Sequence, residues 1–155
     1  MTGSPGRGGA WVVAQFALMA VLVVVLVVGP RWPGAARTGL AVGGVVLAVS
    51  GAAVAGWAGR ALGRALTPFP RPVPGGSLVE AGPFRLVRHP IYTGGALFFA
   101  GLSLVAGPVA LVLTGLLIVL WAFKARLEEQ HLVSRYAGYA RYAERVRYRF
   151  VPGVY

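Results

Sequence analysis

IYTGGALFFAGLSLVAGPVALVLTGLLIVLWAF, residues 91–123, contains no charged side chain. As a single helix it would run about 50 Å at ~1.5 Å per residue, whereas the hydrocarbon of a bilayer is ~30 Å thick. The stretch therefore has to fold back. Gly107 and Pro108 stand near its middle, where a helix ends most readily, so Ile91–Ala106 and Val109–Phe123 are expected as two short helices in a tight hairpin. Both mouths of the hairpin then lie on one side. Arg88 and His89 stand just before it, and Lys124, Glu128 and Glu129 just after.

The rest of the chain reads the same way. With 57% of its 155 residues hydrophobic, 12% charged and a mean hydropathy of +0.70, it is far from an average soluble domain. The expected fold is an all-α integral membrane protein, one domain over 1–155, with four transmembrane helices of which the last two form the hairpin. Lacking cysteine, the chain has no disulfide and no thiolate nucleophile, and two histidines argue against a metal centre.

Upstream of the hairpin, Trp11–Gly29 (WVVAQFALMAVLVVVLVVG) carries a single Gln15. Its apolar core exceeds the roughly 7–15 residues of a signal peptide, so an uncleaved first span is expected after a short Gly-rich lead, Met1–Ala10. Leu40–Gly59 is the second span. Within it Gly44, Ala48, Ala52 and Gly56 recur every fourth residue, which leaves one face free for close approach of another helix, in this chain or in a homodimer. Thr67–Gly76 (TPFPRPVPGG) holds four prolines, cannot be helical and should lie along the membrane surface. Residues 1–65 thus supply the first two spans, and 66–155 a polar stretch, the hairpin and a tail. In the tail Leu132, Tyr136, Tyr139, Ala143, Val146 and Phe150 alternate at spacings of four and three, which describes a C-terminal amphipathic interfacial helix, its tyrosines in the aromatic belt.

The net charge of +11 comes from fifteen Arg and Lys against four acids. One basic residue falls in the lead, two between the first spans, five from Arg60 to Arg88 and seven from Lys124 onward. Cytoplasmic loops carry such an excess, so the lead, residues 77–95 and the tail are expected inside and Arg31 and Arg37 outside, in a multi-pass protein of the cell membrane. Attraction to anionic headgroups explains the charge, and no nucleic acid partner is expected.

Because the hairpin joins its own ends, it gathers a His, a Tyr, an Arg, a Lys and two carboxylates beside apolar helix. Each has a plainer reading. Lys124 and Glu128 sit four apart on a helix, as surface ion pairs do; His89 can be a hydrogen-bonding cap before Pro90; Tyr92 can belong to the aromatic belt. Their convergence at one membrane face is what favours chemistry.

The residues that converge also form a pattern. Leu78-Val79, Gly82-Pro83-Phe84 and Arg88-His89-Pro90-x-Tyr92-x-Gly94, followed by Glu128-Glu129 and a tyrosine-spaced tail ending Phe150-Val151-Pro152, resemble the isoprenylcysteine carboxyl methyltransferase family and its relatives among the phospholipid N-methyltransferases. The resemblance covers Ser77 to Pro152. It implies methyl transfer from S-adenosylmethionine to a lipophilic small molecule or lipid arriving from the bilayer. Carried over position by position, Ser77, Leu78 and Val79 would line the cofactor with backbone groups, Phe84 would lie against it, and His89, Pro90, Ile91 and Tyr92 would form a second wall. Glu128 would accept a hydrogen bond from it, and Lys124 would face an acidic group of the substrate. The family usually has Tyr at the position of Phe84 and commonly Arg at that of Lys124.

A carboxylate attacking a sulfonium methyl needs orientation and loss of its water but no general base. An amine or thiol needs a proton acceptor, for which Glu129 and His89 are the nearest candidates. Two other readings stand beside this one: a sterol-reductase-like enzyme using NADPH, and a small non-enzymatic membrane subunit.

Overall fold

A computed structural model describes residues 8–34 and 36–153; residues 1–7 of the Gly-rich lead lie outside the described residues. The described chain is all-helical: α1 (Gly9–Val28), α2 (Ala36–Leu62), α3 (Pro90–Ala106), α4 (Pro108–Arg135) and α5 (Tyr139–Arg145), with short 3₁₀ turns at Gly63–Ala65 and Gly82–Arg85. Helices α1, α2 and α4 are long and apolar enough to cross a membrane. With 17 residues, α3 reaches ~25 Å, the short end of spanning length.

The hairpin turns where expected. Pro90 opens α3 and Pro108 opens α4, each in a first turn where its missing N–H costs nothing. Gly107 lies against the α1–α2 connection so closely that a Cβ there would stand 1.9 Å from the carbonyl oxygen of Pro30. Both connections therefore share one end of the bundle, and the polar ends of α3 and α4 share the other.

Glycines knit α2 to α3. A Cβ on Gly101 would stand 2.4 Å from the Ala48 nitrogen, and one on Gly94 2.5 Å from that of Ala55. Of the expected small-residue stripe, Gly44 and Ala48 face α3 and are buried, whereas Ala52 is exposed and Gly56 has only Arg60 nearby. Gly51 and Ala55 complete the contact instead, because alternating steps of four and three stay on one helix face better than strict steps of four. Leu22, Phe99, Ala106, Ala110, Leu117 and Trp121 form the core between α1, α3 and α4. Ser103 and Thr114, the polar residues of the hairpin interior, hydrogen-bond to each other at 2.9 Å.

The tail departs from expectation. Helix α4 runs unbroken to Arg135, α5 spans only seven residues, and 146–150 is non-helical, so no continuous interfacial helix forms. The tail carbonyls have better partners: the backbone N–H of Arg88 donates to Tyr148 and that of His89 to Arg149, both at 2.9 Å, which a helix there would forbid. Tyr139, Tyr142 and Val146 pack onto Leu78 and Leu132. The two tyrosines are thus buried against the site and are not members of an aromatic belt.

Candidate functional site

A cavity of about 460 Å³ opens at the polar end of the bundle, within the ~300–1,000 Å³ typical of small-molecule and cofactor sites. Ser77, Leu78, Val79, Phe84, His89, Pro90, Ile91, Tyr92 and Glu128, the nine residues read from the sequence as cofactor-binding, all line it, and so does Lys124. Glu129 does not.

Local folding explains how each side arrives. The proline-rich linker cannot coil, so Thr67–Val73 drapes across the mouth as wall. Beyond it the backbone of Ser77, Leu78 and Val79 makes no hydrogen bond with any described residue, which leaves N–H and C=O groups for a ligand. Gly82 adopts φ 60°, a value few other residues accept, and so turns the chain into the 3₁₀ segment that buries Phe84. The Tyr142 hydroxyl donates to the Phe84 carbonyl at 2.8 Å, and that of Tyr136 to the Gly76 carbonyl at 3.0 Å. Burial pushes the Tyr139 and Tyr142 phenols above their ordinary value, so both remain neutral.

His89 and Tyr92, in the second wall of the cavity, belong to a longer row of aromatic rings. Phe150, His89, Tyr92 and Trp121 follow one another with ring centroids 5.7, 5.7 and 5.4 Å apart. Tyr92 donates its hydroxyl to Glu128 Oε1 across the hairpin, and Glu128 Oε2 lies 3.6 Å from His89 Nδ1. The mouths of the charge-free stretch do meet.

Glu129 faces the other way. Arg88 Nε at 2.8 Å, His89 Nε2 at 3.2 Å and Arg149 Nε at 3.0 Å surround its two oxygens, while Arg88 Nη1 also donates to the carbonyls of Val146 and Arg147. This cluster fastens the tail to the start of α3, and with it the His89 ring.

Lys124 is no surface ion pair. It is 1% exposed and donates to Gln15 Oε1 at 2.8 Å and to the Pro68 carbonyl at 2.6 Å, with Glu128 Oε1 farther off at 3.9 Å. Three contributors escaped sequence reasoning: Gln15, the linker carbonyl and the buried tail tyrosines. Only Gln15 left a trace, as the lone amide in an apolar span, where a polar side chain usually has a task.

No curated protein matches the chain. The family model described as phospholipid methyltransferase matches residues 39–138, well over half of the sequence, and the chain belongs to that family.

Proposed function

We propose that this protein is an S-adenosylmethionine-dependent methyltransferase of the cell membrane, with its site facing the cytoplasm and a lipophilic acceptor ending in a carboxylate, of the isoprenylcysteine type. One observation carries the reading. The nine residues that the resemblance assigns to the cofactor, scattered from Ser77 to Glu128, line one cavity whose polar end is Tyr92, Glu128 and His89. Family membership speaks for methyl transfer, and no feature favours the reductase or the subunit.

The residues fit such a cofactor. Its cationic sulfonium and amine suit a cavity with a carboxylate, Glu128, and its flat base suits aromatic walls and unpaired backbone groups at Ser77–Val79. When bound, S-adenosylmethionine supplies an electrophilic methyl group. The chain's own part is to orient and to dehydrate: Tyr92 fixes the Glu128 carboxylate, the Glu129 cluster fixes His89, and Lys124 waits where an anionic acceptor end would lose its water. Lys124 and Glu128 are the proposed contact residues. Glu129, with both oxygens engaged away from the cavity, is a positioning residue. Thirteen of the fifteen basic residues fall on the site's side of a four-span topology, which supports the cytoplasmic orientation.

Membrane extracts incubated with purified protein and deuterated-methyl cofactor test the reading by mass spectrometry. A labelled methyl ester of a lipophilic acid is expected. Label on a phospholipid amine would change the acceptor class, and no transfer to any lipid would remove the activity.

A further inference from the structure

Gln15 is the single amide of the first span and is 8% exposed. Trp121 Nε1 at 3.1 Å and Lys124 Nζ at 2.8 Å approach the same atom of it. Both are donors only, so that atom has to be the carbonyl oxygen and the NH₂ group points elsewhere. The NH₂ has no partner among the described residues, yet protein atoms do not enclose it, and Gln15 borders the cavity. Lys124 has three N–H bonds, of which Gln15 and the Pro68 carbonyl take two.

A buried lysine is ordinarily matched by a carboxylate, which cancels its charge. Here its first partner is a neutral amide, and the nearest carboxylate oxygen, 3.9 Å away, is already held by Tyr92. The ammonium is held by two neutral oxygens, with its carboxylate neighbour only at the outer limit of ion-pair distance, and a second donor stands beside it. We propose that Gln15 holds Lys124 through its carbonyl and, through its NH₂, hydrogen-bonds the anionic end of the methyl acceptor, so that amide and ammonium together form the acceptor clamp. The assignment rests on the methyltransferase reading above. It adds a contribution from α1, which lies outside the matched residues 39–138, and the neighbouring Phe16, on the same cavity, offers apolar wall to the acceptor's tail.

Binding of tritiated farnesylthioacetate, a lipophilic carboxylate, to the purified full chain tests the clamp, with farnesylamine as competitor and cofactor affinity measured in parallel. Wild type is expected to bind the carboxylate and to ignore the amine. Gln15→Glu keeps an oxygen for Lys124 but replaces the donor by an anion, and should weaken carboxylate binding about tenfold or more with cofactor affinity within about twofold. Lys124→Met should weaken it similarly, and adding Gln15→Leu to Lys124→Met should cost little more, since the two act as one unit. Unchanged binding in Gln15→Glu, additive losses, or equal displacement by the amine each overturn the proposal. A clamp that behaves as expected in a protein with no affinity for S-adenosylmethionine supports the Gln15 assignment and removes the methyltransferase reading instead.

Discussion

Glu128 and Glu129 are neighbours in sequence with opposite duties, because successive residues on an α-helix point ~100° apart. One turns to the cavity and Tyr92, the other to Arg88, His89 and Arg149. Their substitutions should separate accordingly. Glu128→Gln removes a charged partner worth ~1.5–3 kcal/mol and should weaken cofactor binding roughly 10- to 150-fold while the melting temperature in detergent holds. Wild-type affinity on calorimetric titration would take Glu128 out of the site. Glu129→Gln strips a partner from Arg88 and Arg149, whose charges stay behind, and should lower stability by roughly 2–4 kcal/mol, read as an earlier thermal transition. His89→Ala interrupts the aromatic stack between Phe150 and Tyr92, and loss of cofactor binding in a folded protein is expected of it.

At the scale of elements, the α2–α3 contact depends on the absence of side chains. Lipid tails compete with leucine on equal terms, so helices in a bilayer associate through close backbone approach and not through hydrophobic exclusion. The missing Cβ atoms of Gly94 and Gly101 fall on backbone atoms of α2, which cannot step aside as a side chain can. Gly101→Ala should destabilise by roughly 1–3 kcal/mol in a detergent melt, whereas Gly43→Ala, with nothing within 4 Å of the added methyl, should leave the melt unchanged. Equal melting of the two would mean that α2 and α3 are not packed this tightly. This contact also holds the site, since α3 carries Tyr92 two residues before Gly94.

For the whole molecule, the tail closes what the hairpin begins. No described residue beyond Tyr142 lines the cavity, yet the Tyr148 and Arg149 carbonyls hold the backbone of Arg88 and His89, and the Phe150 carbonyl accepts the Thr93 hydroxyl at 2.6 Å. Truncation after Arg145 keeps every described lining residue and should still weaken cofactor binding about tenfold or more, as His89 loses its anchors; unaltered affinity would make the tail a passenger. Orientation can be read directly, because the chain lacks cysteine. A membrane-impermeant maleimide should label Gly34→Cys in intact cells and Ser134→Cys only after permeabilisation, both positions being exposed. The reverse pattern would turn the site outward.

Composition and the uncharged stretch 91–123 by themselves determined a membrane-spanning helical chain, a hairpin turning at Gly107–Pro108 and the meeting of His89 and Tyr92 with Glu128, because bilayer thickness limits helix length and a short turn leaves its two arms no freedom. The residues of the candidate cavity were legible for the same reason, each being local to a motif or to an arm of the hairpin. Only the tertiary structure decided the rest. Whether the tail's period of three and four becomes a helix depends on which carbonyls Arg88 and His89 capture across some 60 residues of sequence. Whether Lys124 answers to Glu128 or to Gln15, 109 residues away, depends on where α1 packs, and local spacing cannot encode a partner supplied by another helix.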